Sequence, residues 1–181
     1  MEELITIIGP TGIGKTTLAL SLAEKNPIEI ISLDSMLVYK HCNIGTAKPT
    51  KKELSSVRHH MIDILDPCDR FSVATYINML DPIIMNIRNN KKVPILVGGT
   101  MMYLWAMING LENAPETNHS IREDILATAK DKGWPFLWQQ LNLLQPEIAK
   151  KIEKNDKQRV SRALELSLTG SRLIQKKSKN F

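Results

Sequence analysis

The sequence predicts an α/β protein with a doubly wound parallel sheet of the phosphate-loop type, a helical insertion and a helical C-terminal part. Two observations carry this prediction. Residues 4–8, 28–33 and 93–97 form near-continuous apolar runs, which are typical of strands buried on both faces of a parallel sheet. Helical patterns separate these runs, and the alternation of strands with helices indicates a doubly wound core.

Two helices are predicted between the strands. The first covers residues 16–24, and the second begins at Ser72. The apolar positions of the second helix recur at helical spacing: Val73, Tyr76, Ile77, Leu80, Ile84 and Ile87. Pro82 lies inside this pattern and cannot donate a backbone hydrogen bond, so we expect either a kink or two short helices.

The chain after Gly99 shows no further strand pattern and predicts a cluster of helices. Residues 100–109 predict a helix closed by Gly110, and residues 111–119 predict a connector. Ser120 with Glu123 predicts a capping box for a helix that ends at Gly133. Pro135 predicts the start of another helix, Pro146 the start of a short third, and Asp156 the start of a last helix that runs to Thr169.

Composition indicates a globular protein with a buried core. The chain has 181 residues, of which 43% are hydrophobic and 24% charged. We divide it into a phosphate-loop α/β core (1–110), a helical insertion (111–157) and a basic helix with a tail (158–181). No apolar run approaches the roughly 20 residues that span a bilayer, and the first ten residues lack the features of a secretion signal. We therefore expect a cytoplasmic protein without membrane contact, in which Cys42 and Cys68 are reduced thiols without a role.

The net charge of +5 is concentrated at the C-terminal end. Residues 150–181 carry ten basic and three acidic side chains, whereas residues 1–149 carry 14 basic and 16 acidic ones. A basic end on a nearly neutral body favours contact with a polyanion. A solvated helical face or tail accounts for the same charges without a partner.

One motif predicts chemistry by itself. The pattern G-x-x-x-x-G-K-[ST] of phosphate-cradling loops is matched by Gly9, Pro10, Thr11, Gly12, Ile13, Gly14, Lys15 and Thr16. Because the loop lies between a predicted strand and a predicted helix, its backbone N–H groups and the helix N-terminus can converge on one anion. Lys15 adds a positive charge, and Thr16 can offer its hydroxyl to Mg²⁺. The pattern predicts phosphate binding but does not say whether the phosphates belong to a nucleotide.

Asp34 and two histidines are further candidate site residues. Asp34 follows the second apolar run and should face the crevice of the loop, because ligands of doubly wound sheets bind beyond the carboxyl ends of the strands. It could hold magnesium, act as a general base or cap a turn, and its spacing leaves these three roles open. His59 and His60 are adjacent but have no third ligand at useful spacing, so we expect packing or hydrogen bonding rather than metal binding.

Six motifs in a fixed order resemble one known family. After the loop at Gly9 come DSMLVY at 34–39, NIGTAKP at 43–49, HHMIDILDP at 59–67, PILVGGTMMY at 94–103 and NDKQRVSRALE at 155–165. Together they closely resemble the tRNA dimethylallyltransferases, which isopentenylate an adenosine beside the anticodon. The resemblance covers about residues 4–172. Members of that family continue well past the length of this chain, which leaves its full activity open.

The resemblance implies a transfer reaction. In that family the phosphate loop binds the diphosphate of dimethylallyl diphosphate. The substrate is the adenosine at position 37 in tRNAs that read codons starting with U, and its N6 displaces the diphosphate. Asp34 matches the general base of the family, while Lys15 and Mg²⁺ held by Thr16 would stabilise the leaving diphosphate. Thr100 matches a residue that contacts the tRNA near the reacting base, and it could equally cap the following helix.

The tRNA contacts implied by the resemblance lie in both halves of the chain. They are Asp34, Ser35, Met36, Leu37, Thr100, Arg122, Gln158, Arg159, Val160, Ser161 and Arg162. Arg159 and Arg162 are three residues apart and share one face of the last predicted helix, where they can meet phosphates or stack on bases. The target base must first leave its stack. We expect full-length members of the family to be monomers.

Two other functions stay open. A phosphate-loop kinase acting on a nucleotide or small metabolite explains the loop and Asp34, but it leaves residues 43–49 and 158–162 without a role. The sequence also contains no arginine-rich lid segment of the kind that such kinases use. The second alternative is a protein that binds RNA or diphosphate without catalysis.

Overall fold

The computed structural model describes residues 3–110 and 118–169. The chain forms two compact units, residues 1–111 and residues 112–181. The described strands all belong to the first unit, and the described part of the second unit contains only helices. The boundary predicted after residue 157 falls inside the second unit.

The first unit contains a four-stranded parallel sheet. Its strands are β1 (Ile5–Ile8), β2 (Ile28–Leu33), β3 (His59–His60) and β4 (Val93–Gly98), and their spatial order is β1-β4-β2-β3. The three apolar runs of the sequence are therefore neighbouring strands. The predicted α/β class with a parallel sheet is confirmed.

Helices cover both faces of this sheet. The helices of the first unit are α1 (Lys15–Ala23), α2 (Lys51–Ser56), α3 (Val73–Asn89) and α4 (Met101–Asn109). On one face, Ala19 of α1 packs in a cluster with Ile28, Ile30, Ile95 and Val97. On the other face, α3 and α4 pack in a cluster formed by Ile31, Leu33, Met61, Tyr76, Leu80, Ile87, Leu96 and Tyr103. Alternate residues of β2 thus enter opposite layers, which explains why the whole strand is apolar apart from Glu29 and Ser32.

Of the two alternatives predicted around Pro82, a kink or two short helices, the structure excludes the second, because α3 continues as one helix through that residue. Pro82 is exposed, whereas Tyr76 and Leu80 before it and Ile87 after it are buried in the same cluster. A proline inside a helix costs about 3 kcal/mol. Burial of three large side chains from one continuous helix outweighs that cost, since each contributes about 1.5–3 kcal/mol.

Two short elements were not predicted. Thr50 is the N-cap of α2. Its hydroxyl accepts a hydrogen bond from the N–H of Glu53, while the Glu53 carboxylate accepts one from the N–H of Thr50. This reciprocal capping box is a local signal that the sequence does contain. β3 has only two residues and pairs with Ile30 and Ile31, so no periodicity could reveal it.

The second unit is built from helices that share one apolar core. They are α5 (His119–Lys132), α6 (Trp134–Leu144), α7 (Pro146–Ala149) and α8 (Lys157–Leu168). Their buried side chains are Ile125, Leu137, Leu141, Ala149, Val160, Ala163 and Leu164. The predicted end of a helix at Gly133 and the predicted helix starts at Pro135, Pro146 and Asp156 agree with these bounds. Most of the predicted connector, residues 111–117, and the tail from residue 170 lie outside the described residues.

The capping box predicted at Ser120 and Glu123 is wrong. α5 begins two residues earlier, and the side chain of Asn118 accepts the capping hydrogen bond from the N–H of Ile121 at 3.2 Å. Asparagine and serine cap helices equally well, so local preference does not decide between them. A tertiary contact favours Asn118, because its own backbone N–H donates to the buried Glu165 carboxylate at 2.8 Å.

Cys42 and Cys68 are free thiols. Within residues 3–110 and 118–169, none of the helices combines the length and apolar character needed to cross a membrane.

Candidate functional site

The phosphate loop joins β1 to α1 and has the conformation that its glycines predict. Gly12 has φ of 85° and Gly14 has φ of 91°, values in the left-handed region where residues with a Cβ are strained. Gly14 occupies the N-cap position of α1, and Lys15 is the first residue of that helix. The loop therefore ends on a helix N-terminus, the feature that favours anion binding.

The ammonium group of Lys15 lies against its own loop. Its Nζ donates hydrogen bonds to the carbonyl oxygens of Gly9 and Pro10, both at 2.8 Å. These bonds hold the positive charge beside the loop before any ligand arrives. An ammonium group has three donor hydrogens, so one remains for a ligand oxygen.

A cavity of about 270 Å³ lies beside the loop. Its lining residues are Thr11, Gly12, Gly14, Lys15, Thr16, Asp34, Leu37, Thr46, Ala47, Val97 and Gly98. The structure thus brings Asp34 and the phosphate loop to one cavity, at the carboxyl ends of β2 and β4. Polar groups at this edge of a parallel sheet are where ligands of such folds bind.

Asp34 caps a turn with one of its two carboxylate oxygens. Oδ1 accepts hydrogen bonds from the backbone N–H groups of Met36, at 2.8 Å, and Leu37, at 3.4 Å. In the part of the chain that the structure describes, Oδ2 makes no hydrogen bond. The turn fixes the side chain and leaves one oxygen for a ligand, so the capping role and a chemical role are compatible.

An aromatic cluster lies close to this carboxylate. Tyr103 stacks on Tyr76 with ring centroids 4.2 Å apart, and Phe71 meets both rings edge-on. Burial, together with the nearby Tyr39 and the charge of Asp34, raises the pKa of Tyr103. The phenol therefore stays protonated near neutral pH and adds no second negative charge beside Asp34.

Thr100 is at the N-cap position of α4, but its side chain does not cap that helix. Its hydroxyl accepts a hydrogen bond of 3.1 Å from the backbone N–H of Ser35. Of the three residues that follow Asp34, Ser35 is half-buried, Met36 is exposed and Leu37 is buried against the cavity. Thr100 thus links the end of β4 to the segment that carries Asp34.

The close approach of two strand ends requires a glycine. A Cβ added to Gly98 would collide with the carbonyl oxygen and carbonyl carbon of Leu33. The backbone N–H groups of Gly99 and Thr100 donate to that same oxygen, at 3.2 and 3.1 Å. Gly98 is therefore required for the β4 end to pack beside Asp34.

Thr46 and Ala47 line the cavity, and no individual role was predicted for either residue from the sequence. The next residue, Lys48, has a side chain only 5% exposed; its Nζ donates to the carbonyl oxygen of Tyr39 at 2.8 Å and pairs with Asp63. Such a buried, paired lysine holds the segment in place rather than meeting a ligand. In the sequence, only the motif NIGTAKP at 43–49 indicated that these residues contribute to the function.

His59 and His60 make hydrogen bonds, as predicted. His59 Nδ1 lies 2.9 Å from the carbonyl oxygen of Val57, and His60 Nε2 lies 2.6 Å from the carboxylate of the buried Glu29. Glu29 also pairs with Lys92 at 2.8 Å. No group of three or more metal-ligating side chains occurs among residues 3–110 and 118–169.

The predicted tRNA-contacting residues of the second unit differ in exposure. Gln158 and Arg159 are exposed, and Arg122 is half-buried. Val160 and Ser161 are buried within the unit, so their side chains do not lie on its surface, and the prediction that these two residues contact tRNA with their side chains finds no exposed group here. The reason is the helical period, which turns the residues after Arg159 inward.

The two arginines of α8 have different partners. Arg159 has a side chain 72% exposed and lies 3.5 Å from the Asp156 carboxylate. Arg162 is 38% exposed, and its Nη1 lies 3.0 Å from Oε1 of Glu165, a buried carboxylate. Arg162 is therefore partly anchored within the unit, whereas Arg159 extends into solvent.

A family model described as IPP transferase matches residues 37–180. The chain belongs to the IPP transferase family. This membership agrees with the resemblance stated from the sequence, and the matched segment includes α8 with both of its arginines.

Individual members of the family show how much of an IPP transferase this chain represents. The tRNA dimethylallyltransferase of Cupriavidus necator is 44% identical over 163 residues, covering 90% of this chain and 51% of the relative. That of Francisella philomiragia is 47% identical over 174 residues, covering 95% and 56%. The chain spans about half the length of the curated relatives it matches.

The chain is also similar to solved structures. The full-length tRNA isopentenylpyrophosphate transferase of Bacillus halodurans is 40% identical, with a TM-score of 0.59, covering 95% of this chain and 57% of that protein. A eukaryotic dimethylallyltransferase acting on tRNA is 31% identical, with a TM-score of 0.75, covering 92% and 41%. The IPP transferase fold is thus shared with both.

Proposed function

We propose that this chain transfers a dimethylallyl group from dimethylallyl diphosphate to N6 of the adenosine at position 37, beside the anticodon, in tRNAs that read codons starting with U. One observation carries the proposal: in a member of the IPP transferase family, a phosphate loop and the acidic side chain of Asp34 line the same cavity. The names of the relatives, which are tRNA dimethylallyltransferases, support tRNA as the substrate.

The loop and its lysine would bind the diphosphate of the donor. The N-terminus of α1 and the ammonium of Lys15 both favour a multiply charged anion. The hydroxyl of Thr16 is a hard oxygen donor beside this anion, and Mg²⁺ in phosphate sites takes few protein ligands and completes its shell with phosphate and water oxygens. Thr16 therefore fits a magnesium site. The ion, when bound, would neutralise charge on the diphosphate.

The transfer needs a base because the exocyclic amine of adenine is a weak nucleophile. N6 forms a bond to the allylic carbon as the carbon–oxygen bond to the diphosphate breaks, and the bonding electrons leave with the diphosphate. The proton of N6 passes to Asp34, whose Oδ2 is free of the turn that holds Oδ1. General-base catalysis of this kind contributes about 10²–10⁴-fold. The loop N–H groups and Lys15 stabilise the charge that gathers on the leaving group.

The second unit would supply contacts to the RNA. Arg122, Gln158, Arg159 and Arg162 carry polar or charged side chains that are not fully buried, and arginine fits both phosphates and unstacked bases. Met36 is exposed beside Asp34 and offers an apolar surface to an extruded base. A tRNA substrate also implies the cytoplasm as the compartment. We propose a monomer as the active form of the full-length protein.

The proposal is tested by mass spectrometry. Purified protein with Mg²⁺ is incubated with an anticodon stem-loop that has adjacent adenosines and with dimethylallyl diphosphate; a parallel reaction contains ATP and a panel of nucleoside monophosphates. A mass gain of one dimethylallyl group on the RNA is expected. A stem-loop with guanosine at position 37 should gain no mass. Phosphate transfer from ATP without RNA modification would contradict the proposal, and retention of the stem-loop without a mass gain would indicate a binding protein only.

A further inference from the structure

Ser32 is a hydroxyl residue in the buried strand β2. All six positions of the strand are buried, and Ser32 is 3% exposed. Its hydroxyl makes no hydrogen bond to the residues that the structure describes. A buried hydroxyl without a partner destabilises the folded state, whereas alanine at the same place would leave no polar group unpaired. Stability therefore does not explain a serine at this position, and its surroundings indicate what it does.

His59 lines the same small cavity as Ser32. Nε2 of His59 is buried and, like the Ser32 hydroxyl, has no hydrogen-bond partner among residues 3–110 and 118–169. The cavity has a volume of about 30 Å³. Because Nδ1 of His59 lies 2.9 Å from the carbonyl oxygen of Val57, which can only accept, Nδ1 carries the hydrogen and Nε2 is an acceptor. The cavity thus contains an acceptor and a hydroxyl, and its size suits one water molecule.

Thr16 connects this small cavity with the phosphate loop. Thr16, Leu37 and Val97 line both the small cavity and the larger one of about 270 Å³ beside the loop. Thr16 is the second residue of α1 and is half-buried. Its hydroxyl has no hydrogen-bond partner in the described part of the chain. The residue that fits a magnesium site therefore also lines the polar cavity of Ser32 and His59.

A hydroxyl that binds a cation directs an oxygen lone pair towards the ion. Its hydrogen then has to be donated to an acceptor elsewhere, and the groups that accept such hydrogens orient the ligands of metal sites. One water in the small cavity can accept the hydrogens of the Thr16 and Ser32 hydroxyls and donate to Nε2 of His59. Three hydrogen bonds are typical of an internal water, and this arrangement leaves neither buried atom unpaired.

We propose that His59 and Ser32 are positioning residues for Thr16: together they hold one internal water that accepts the hydrogen of its hydroxyl, which leaves the lone pair for Mg²⁺ at the phosphate loop. This inference rests on the proposed function, from which it takes Mg²⁺ and a diphosphate as ligands. His59 and Ser32 themselves touch neither ligand. Their effect should therefore depend on the metal, which separates it from a merely structural role.

The first test measures the affinity of the whole chain for inorganic diphosphate by calorimetry, once with Mg²⁺ and once with EDTA. His59→Phe removes the acceptor of the cavity. Affinity in the presence of Mg²⁺ should fall about tenfold, the lower end of the range for groups that orient metal ligands. Affinity in EDTA should not change. Equal losses in the two titrations would show a merely structural role and overturn the proposal.

His60→Phe is the matched control. His60 is the next residue, and its Nε2 lies 2.6 Å from the buried Glu29 carboxylate, so its removal also breaks a hydrogen bond of an imidazole. His60 does not line the small cavity. The variant should lower the free energy of unfolding, while the ratio of the affinities with Mg²⁺ and with EDTA should stay that of the wild type.

The second test repeats His59→Phe in the Thr16→Val background. Valine has no hydroxyl to orient, so the substitution should cause no further loss of affinity in the presence of Mg²⁺. An equal loss in both backgrounds would mean that His59 does not act through Thr16 and would overturn the proposal. Should His59→Phe fail to fold by circular dichroism, Ser32→Ala replaces it. A smaller loss confined to the titration with Mg²⁺ is then expected, and unchanged affinity overturns the proposal.

Failure of the proposal and failure of the proposed function give different results. If the stem-loop gains no mass but diphosphate binding depends on Mg²⁺ and on His59 as described, the transfer reaction is wrong and the positioning role stands. If the stem-loop gains mass and His59→Phe binds diphosphate as the wild type does, only the positioning role is wrong. Wild-type affinity for diphosphate that is the same with Mg²⁺ and with EDTA also overturns the positioning role.

Discussion

The backbone N–H of Ser35 donates a hydrogen bond of 3.1 Å to the hydroxyl of Thr100, 65 residues further along the chain. Ser35 follows β2 and Thr100 follows β4, and these strands are neighbours in the sheet. The carbonyl oxygen of Leu33 accepts hydrogen bonds from Gly99 and Thr100 in the same place. Asp34 lies between Leu33 and Ser35, so the segment that carries its carboxylate is attached to β4 on both sides.

Removing the Thr100 hydroxyl should therefore disturb Asp34. Thr100→Val keeps the shape of the side chain but leaves the Ser35 N–H without its acceptor, which costs about 1–3 kcal/mol of the free energy of unfolding. Misplacement of Asp34 should lower the transfer rate by about 10- to 100-fold. Chemical denaturation and single-turnover transfer assays measure the two effects. Thr100→Ser retains the acceptor and serves as the control; equal losses in both variants would contradict this explanation.

The variant Asp34→Asn separates the role of this side chain in capping the turn from its role as a general base. Asparagine keeps an oxygen for the N–H groups of Met36 and Leu37, so the fold should be preserved, but it cannot accept the N6 proton as a carboxylate does. We expect transfer to slow by about 10²–10⁴-fold. Binding of dimethylallyl diphosphate, measured by calorimetry, should stay close to that of the wild type. Turnover near the wild-type rate would exclude Asp34 as the general base.

Glu29 should make stability depend on pH in the acidic range. Burial alone raises the pKa of Glu29, but hydrogen bonds from Lys92 and His60 outweigh it and hold the pKa below its ordinary value of 4.5. Arg58 is a more distant partner at 3.9 Å. A lowered pKa means that the folded state favours the carboxylate, so its stabilisation is complete above about pH 4.5 and is lost as the pH falls through the lower, folded-state value.

The variant Glu29→Gln tests this dependence. It should lower the free energy of unfolding by about 1.5–3 kcal/mol at pH 7, because hydrogen bonds to a charged group are lost. The difference in the free energy of unfolding between this variant and the wild type should become smaller as the pH falls below about 4.5. Asp66→Asn removes an exposed partner of Lys40 and is the control. A difference that stays constant down to acidic pH would show that the Glu29 charge does not contribute.

His59 should share an internal water molecule with Ser32. Nδ1 of His59 faces a carbonyl oxygen, which can only accept, so Nδ1 carries the hydrogen and Nε2 is an acceptor. Burial lowers the pKa of His59, which keeps the ring neutral at pH 7. His59 Nε2 and Ser32 Oγ are both buried without a hydrogen-bond partner among the described residues, and both side chains line a cavity of about 30 Å³.

A cavity of this size with two polar groups can hold one water. A high-resolution crystal structure should show its density within hydrogen-bond distance of both atoms. Ser32→Ala should weaken that density, and His59→Phe should remove it. Ser55→Ala, which changes an exposed serine, should leave the density as it is. A structure in which the two side chains pair directly with each other would refute the prediction.

The sequence determined those features that depend on local backbone geometry. The glycines at 12 and 14 have the positive φ angles that a phosphate loop requires, and the loop lies between the strand and the helix that the pattern implies. The three apolar runs form strands of one parallel sheet, because a strand with apolar residues on both faces is stable only when both faces of the sheet are covered. The position of Asp34 at the cavity follows from the same rule, since the carboxyl ends of parallel strands share one edge.

Tertiary structure decided the remaining features of the fold and the site, because these depend on contacts between residues far apart in the chain. Packing on one core carries α3 through Pro82, and the Glu165 carboxylate favours Asn118 over Ser120 at the start of α5. Burial removes Val160 and Ser161 from the surface. Periodicity reports which residues prefer to be buried, but only the folded chain selects the partner of each buried polar group, as it does for Glu165 with Arg162.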